Sequence, residues 1–307
     1  MQSLKKILKR GLWSIFQAGQ KVGLDILPRN FYSEIPDIHA LLQESAWRKE
    51  SSMQSVYGSE LNAQLSILEQ WLHGFVVTEI KTRNIHQEAR QRNGTDGYGP
   101  IEAEALFAFV ASEKPEEIFQ IGCGVSTAIC LMAAEFAGYG PRVTCVEPFP
   151  SDYLLKMEKE RRIRLIRSKA QNLDLTEVEN IGSHALFFVD STHTLGPAGE
   201  VTKIILEMLP RLKKETVVHF HDILFPYDYP RDLLNGALFF PHESPLLHAF
   251  LSGNSRFMIL CSLSMLHYKK KKELQLLMPH YVPAGDDEGL QVSGGHFPSA
   301  TYLKVIQ

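Results

Sequence analysis

The sequence is poor in cysteine and has no cysteines at the spacing of a metal or dithiol motif. Cys123, Cys130, Cys145 and Cys261 are its four cysteines among 307 residues. None belongs to a Cys-x-x-Cys pair, and no zinc-type spacing is present. Because three of the four lie in apolar segments, we expect buried free thiols and a cytoplasmic protein.

A strong excess of either charge is also lacking. The formal net charge is −3, with 22% charged and 44% hydrophobic residues. These values are typical of a soluble globular protein and argue against a nucleic-acid partner.

The sequence does contain a Gly-x-Gly turn between an apolar run and a helical pattern. Residues 118–121 predict a strand, Gly122 and Gly124 follow it, and a helix is expected near 126–136. Glycines allow the backbone to approach a ligand closely, and the first amides of the helix would face that ligand. The alternative is an ordinary tight turn.

A second apolar run, 143–146, ends on Glu147, which lies 25 residues after Gly122. An acidic side chain at this place can accept hydrogen bonds from a ribose diol. The third glycine of the dinucleotide fingerprint is missing, because its position holds Thr127. No Gly-Lys-Ser/Thr occurs either, so the pattern favours S-adenosylmethionine over NAD or ATP.

Strands and helices alternate from residue 118 onward. This alternation predicts an α/β fold with a doubly wound, mostly parallel seven-stranded sheet, Rossmann-like. An antiparallel hairpin with a long polar tip, which includes residues 285–289, is expected to close the sheet. We expect residues 96–307 to form this domain and residues 1–95 to form an N-terminal helical extension. The predicted strands are 118–121, 143–146, 163–166, 186–189, 217–220, 257–260 and 300–305.

Polar residues follow two of these strands. Asp190 and His193 come after the fourth strand, and His221 and Asp222 after the fifth. In a parallel sheet they would open at the same edge as the glycine turn. Ionisable side chains in a crevice are costly unless they are solvated, paired or bound to a ligand. His219 is expected to pack inward instead.

A loop at 93–100 precedes a helix expected at 102–112. The loop contains three glycines, Gly94, Gly97 and Gly99. The loop could close over a cofactor or serve as a plain connector.

Residues 3–20 predict a basic amphipathic helix. Its apolar residues fall at helical spacing on one face, and residues 1–22 carry no acidic side chain. Such a helix can contact an anionic membrane as a peripheral element, or it can dock on the protein's own surface or on a partner subunit. A homo-oligomer stays an open alternative. The basic residues are Lys5, Lys6, Lys9, Arg10 and Lys21.

Taken together, these motifs resemble the class I S-adenosylmethionine-dependent methyltransferases. More narrowly, the chain is similar to the bacterial family called methyltransferase domain 24, which includes relatives of macrolide sugar O-methyltransferases. The likeness covers roughly residues 22–307. Its matching segments are 121–127, Glu147, 189–193, 219–230 and 247–257, with a connector at 28–37.

The resemblance implies S-adenosylmethionine as cofactor and a binding site at the strand ends. The family usually has an acidic residue where this chain has Gln120, which can still accept a hydrogen bond but adds no charge. We expect Ala170 and Gln171 near the adenine. The predicted cofactor residues are Gln120, Gly122, Gly124, Ser126, Thr127, Glu147, Ala170, Gln171 and Asp190.

Methyl transfer requires an aligned nucleophile and removal of its proton. His193 and His221 are the candidate bases, because histidine titrates near neutral pH. Asp222 is the third predicted catalytic residue. Alternatively, Asp190, His221 and Asp222 hold Mg2+, as the macrolide-sugar relatives imply, although histidine is a poor ligand for that ion.

The expected activity is methylation of a hydroxyl on a sugar, glycan or other small-molecule acceptor. Two alternatives stay open. The resemblance extends to a family with hydroxylase activity, so another enzyme on the same scaffold is one. The other is a cofactor-binding protein with little activity, for which Gln120 is the indication.

Overall fold

The computed structural model describes residues 2–230, 233, 238–284 and 294–307. Contacts divide the chain into two compact units. The first extends to Gln43 and the second runs from Glu44 to Gln307. The predicted division between residues 95 and 96 stays a prediction.

The smaller unit contains two helices, α1 (Gln2–Lys21) and α2 (Ile38–Gln43). The first of these is the basic helix predicted from the sequence. Trp13 and Ile15 in α1 are 60% and 49% exposed. None of the described helices is long and apolar enough to cross a membrane.

The larger unit is built on one seven-stranded sheet with the order β3-β2-β1-β4-β5-β7-β6. Strands β1 to β5 are parallel to one another, and β7 is antiparallel to both β5 and β6. The predicted fold class is therefore confirmed. The strands are β1 (Glu117–Ile121), β2 (Arg142–Val146), β3 (Arg164–Ile166), β4 (Ala185–Val189), β5 (Val217–Phe220), β6 (Phe257–Ser262) and β7 (Thr301–Val305).

Helices cover both faces of this sheet, and α10 continues to Arg211 through a π-helical and a 3-10 segment. In the described part of the chain, 3-10 turns also occur at Ala46–Arg48 and Ala170–Asn172. The helices are α3 (Leu61–Trp71), α4 (Gly74–Thr82), α5 (Ile85–Asn93), α6 (Pro100–Glu113), α7 (Val125–Phe136), α8 (Asp152–Lys159), α9 (Leu175–Glu179), α10 (Glu200–Lys203), α11 (Glu243–Leu251), α12 (Leu263–Lys269) and α13 (Lys271–Leu277).

The central strands are apolar on both faces because both faces are covered. In β4, Leu186 and Phe188 join the core under α6 and α7, whereas Phe187 and Val189 join the core under α10 and α11. This two-residue alternation is the pleat of a strand buried on both sides. A three-layer structure results, with the carboxyl ends of β1, β2, β4 and β5 at one edge.

The antiparallel strand pair predicted at the end of the chain is present, but its two strands are not joined by a simple hairpin turn. Strands β6 and β7 are antiparallel neighbours, but α12 and α13 lie between them in sequence. The polar tip predicted around residues 285–289 lies outside the described residues.

Candidate active site

The glycine turn after β1 brings two strand ends into close contact. Gly122 has a φ of +78°, and a Cβ built on it would lie 2.1 Å from the carbonyl oxygen of Asp190. The amide of Gly122 donates to the carbonyl of Val146 at 3.2 Å. Only glycine combines this backbone conformation with this approach, so the turn holds β1, β2 and β4 together at the site.

A cavity of about 260 Å³ opens beside this turn. One wall comes from the end of α5 and the loop after it, so the predicted loop does border the site. The opposite side comes from the turn and the strand ends. The lining residues are Asn93, Thr95, Asp96, Gly97, Tyr98, Gly122, Cys123, Gly124, Val125, Ser126, Glu147 and Asp190.

The Glu147 carboxylate is held in place by backbone amides. Its Oε2 accepts from the amide of Cys123 at 3.2 Å, and its Oε1 accepts from the amide of Phe149 at 2.9 Å. These bonds fix the carboxylate against the glycine turn. A carboxylate so placed can accept further hydrogen bonds from a ligand with a diol.

Gln120 and Thr127, predicted as cofactor residues, are fully buried and do not line the cavity. Gln120 Nε2 donates to the Ser126 hydroxyl at 3.4 Å. Thr127 Oγ1 accepts from the amide of Gly124 at 3.3 Å and so supports the turn. Both side chains support residues that do face the cavity.

Ala170 and Gln171, expected near the adenine, lie in the 3-10 turn after β3 and are not among the cavity residues. Ala170 is buried in the core. The carbonyl of Gln171 accepts from Lys203 Nζ at 2.9 Å. Their role at the cofactor stays a prediction.

The polar residues after β4 and β5 form one cluster, as predicted. Asp190 Oδ1 lies 3.4 Å from both His193 Nε2 and His221 Nδ1. Asp222 Oδ2 lies 3.6 Å and 3.5 Å from the same two nitrogens. Since Asp190 also lines the cavity, the cluster adjoins the predicted cofactor site.

Charge within the cluster shifts the pKa of its members in opposite directions. Burial alone would lower the pKa of His193 and His221, but the neighbouring carboxylates raise these values to about 10 and about 9. Burial alone would raise the pKa of Asp190, but His221 and His193 hold it well below its usual range. At neutral pH the rings are therefore cationic and Asp190 is an anion.

Glu243 is a member of this site that the sequence analysis did not predict. It is fully buried at the start of α11, and its Oε2 accepts from His193 Nδ1 at 2.6 Å. Its Oε1 accepts from the Ser191 hydroxyl at 3.0 Å. Glu243 lies 50 residues after His193, and no local pattern marks it.

Two further groups complete the surroundings of the cluster. The ring of Tyr98 stacks on His221 with centroids 4.7 Å apart. Ser299 donates to Asp222 Oδ1 at 2.8 Å, and its amide donates to buried Glu102 at 2.9 Å. The position of Tyr98 in the glycine-containing loop was the only sequence signal for this contact.

His219 packs inward, as predicted. Its ring stacks on Phe188 with centroids 4.5 Å apart and shares a 2.8 Å hydrogen bond with the Tyr98 hydroxyl. Burial lowers the pKa of His219 to about 3, so this ring is neutral and belongs to the core.

The cluster does not fit Mg2+, the ion considered from the sequence. Among the described residues, the possible ligand atoms of Asp190, His193 and His221 all lie within 4.8 Å of one another. Two of those three atoms are imidazole nitrogens, and the predicted set also includes the His221 ring, whereas Mg2+ prefers oxygen ligands. A magnesium site at Asp190, His221 and Asp222 is not supported, and no chemical step is derived through it.

The family comparison matches residues 119–223 to the family described as methyltransferase domain. This segment contains the glycine turn, Glu147, Asp190 and both cluster histidines, whereas the resembling segments 28–37 and 247–257 lie outside it.

Three individual proteins show how similar this chain is to known sequences and structures. An uncharacterized protein of Archaeoglobus fulgidus is 28% identical over 192 residues, covering 60% of this chain and 86% of its own. An S-adenosylhomocysteine-bound methyltransferase of Podospora anserina is 16% identical, with a TM-score of 0.41 over 92% of this chain and 99% of its own.

A second solved structure is the 1,6-didemethyltoxoflavin-N1-methyltransferase of Burkholderia thailandensis with S-adenosylhomocysteine. It is 12% identical, with a TM-score of 0.41 over 79% of this chain and 88% of its own.

Proposed function

We propose that this protein transfers the methyl group of S-adenosylmethionine to a hydroxyl oxygen of a sugar or other small molecule. One observation carries the proposal. The cavity formed by the glycine turn and Glu147 is also lined by Asp190, which contacts both cluster histidines. Bound cofactor and the cluster would therefore be neighbours.

The charge of the cavity wall supports this cofactor. Asp96, Glu147 and Asp190 line the cavity, and no lysine or arginine occurs among its described lining residues. Asp96 is paired with Arg90 and Asp190 with the two cluster rings, so Glu147 is the carboxylate of the wall held by backbone amides alone. S-adenosylmethionine carries a sulfonium and an ammonium group and no phosphate. An acidic wall favours this ligand and disfavours the pyrophosphate of NAD or the triphosphate of ATP.

In the proposed reaction the acceptor oxygen attacks the methyl carbon as the carbon–sulfur bond breaks, and S-adenosylhomocysteine leaves. The acceptor proton passes to the polar cluster. Because the pKa values of His193 and His221 are raised, we assign the proton to Asp222, whose side chain is 44% exposed. The two rings hold that carboxylate in place.

Calorimetry with S-adenosylmethionine, S-adenosylhomocysteine and NAD tests the cofactor. We expect the two adenosyl sulfur ligands to bind and NAD to give no measurable heat. Binding of NAD in preference to the other two would contradict the proposal and favour a dehydrogenase.

Glu147→Ala should weaken S-adenosylmethionine binding by about 2 kcal/mol, roughly 30-fold, through loss of charge-assisted hydrogen bonds to the ribose diol. Exposed Glu160 offers a matched control, and Glu160→Ala should leave the affinity unchanged. Equal affinities in both variants would remove Glu147 from the site.

The variant Asp222→Asn tests whether Asp222 takes the acceptor proton. We expect release of S-adenosylhomocysteine to fall roughly 10²- to 10⁴-fold with a sugar or phenol acceptor while cofactor affinity stays close to that of the parent protein. Unchanged turnover would return the assignment to His193 or His221, the bases predicted from the sequence.

A further inference from the structure

Three residues of the polar cluster, Asp190, His193 and His221, have the spacing of a metal site. Two of its edges, from Asp190 Oδ1 to His193 Nε2 and to His221 Nδ1, are both 3.4 Å. A charge-assisted N–H···O bond would be shorter, about 2.8 Å. Two ligands bound tetrahedrally at about 2.1 Å from one ion lie about 3.4 Å apart, which is the spacing seen here.

His221 Nδ1 is a second, independent indication. This atom is buried, faces both carboxylates and has no hydrogen-bond partner among the described residues. The protonated ring is ion-paired with these carboxylates at 3.4 Å and 3.5 Å, which is too long for a good hydrogen bond. A bound cation would displace that proton and give Nδ1 a direct ligand bond.

The second nitrogen of His193 is held in the way typical of metal ligands. Nδ1 donates to buried Glu243 at 2.6 Å, and this fixes the ring so that Nε2 faces the cluster. Histidines that bind metals commonly donate their other N–H to a carboxylate, which orients the ring and raises its basicity.

The ligand set defines the class of ion. Two imidazoles and one carboxylate suit zinc and the other first-row divalent ions, and three protein ligands leave a position for water or substrate. Asp222 Oδ2, 3.5 Å and 3.6 Å from the same nitrogens, supplies a second carboxylate beside the ion. The cluster therefore brings enough negative charge to balance a dication.

We propose that Asp190, His193 and His221 bind one divalent first-row transition-metal ion, with Glu243 positioning His193. This site does not depend on the proposed methyl transfer, since it can be measured without cofactor or acceptor. Its position next to the cavity means that an open coordination place would face a bound acceptor.

Zinc binding to the full chain, stripped by a chelator, is the test. Competition with a chromophoric chelator should show one Zn2+ per chain, and millimolar Mg2+ should not displace it. His193→Ala and His221→Ala should each weaken Zn2+ binding at least 100-fold. Glu243→Gln should weaken it roughly 10- to 100-fold, as loss of an orienting carboxylate does.

Exposed His184 provides the matched control, and His184→Ala should bind Zn2+ as the parent protein does. Cobalt substitution adds a readout independent of affinity, because ligation by this cluster should give visible absorption bands that both cluster variants lose. Circular dichroism establishes that each variant is folded before binding is compared.

Three results would overturn the proposal. The first is Zn2+ affinity that is equal in the parent protein and in folded His193→Ala and His221→Ala variants. The second is Mg2+ binding in preference to Zn2+. The third is loss of binding in His184→Ala with retention in the cluster variants.

Discussion

At the scale of single residues, Gly122 shows how one hydrogen in place of a methyl group shapes the site. Its positive φ and its approach to the Asp190 carbonyl are separate demands, and the chain offers a control for the first of them. Gly138 also has a positive φ, +66°, but a Cβ there would meet nothing within 4 Å.

We therefore expect Gly138→Ala to cost about 1 kcal/mol of unfolding free energy, from backbone conformation alone. Gly122→Ala should cost at least about 2 kcal/mol more, because the new methyl group forces β1 and β4 apart. Urea denaturation of both variants measures the difference. Similar losses would mean that the strand ends accommodate the methyl group easily.

The sequence predicted residues whose role depends on local pattern, and it failed where the role depends on distant packing. Glu147 and Asp190 end apolar strands and line the cavity as expected. Thr127 is also near the glycine turn, but its side chain points back to the turn's own amide. Glu243 reaches His193 from a helix 50 residues away, and nothing local predicts that contact.

At the scale of elements, strands were easy to predict and their order was not. A strand buried on both faces reads as an apolar run, so β1, β2, β4 and β5 were found within one residue of their observed bounds. The insertion of β7 between β5 and β6 depends on nonlocal hydrogen bonds, which leave no trace in composition.

Helix α1 is the element whose role is still a proposal. We propose that it binds anionic membranes, since exposed Trp13 and Ile15 accompany exposed Lys9 and Arg10. Replacing Lys9 and Arg10 together by Gln should lower affinity for phosphatidylserine vesicles by about 2 kcal/mol, roughly 30-fold. Co-sedimentation at low salt measures the change.

The exposed neighbours Lys213 and Lys214 make a matched pair on the larger unit. Replacing both by Gln should leave vesicle binding unchanged. If the intact protein does not sediment with the vesicles at all, α1 is instead a packing or subunit-contact element.

At the scale of the whole molecule, the proposed cofactor cavity joins parts of the chain that are far apart in sequence. Its lining comes from residues 93–98, from the turn at 122–126, from Glu147 and from Asp190. A ligand that fills the cavity must contact all of these segments, so its binding should slow hydrogen exchange well beyond the glycine turn.

S-adenosylhomocysteine at 100 times its Kd should stabilise the folded protein by about 2.7 kcal/mol and raise Tm by several degrees. Hydrogen exchange should slow together in residues 93–98, in residues 122–126 and around residue 147, because one ligand contacts all three segments. Helix α9, which contributes no residue to the cavity, should be unchanged. Protection limited to residues 122–126 would mean that the loop after α5 is a connector and takes no part in holding the ligand.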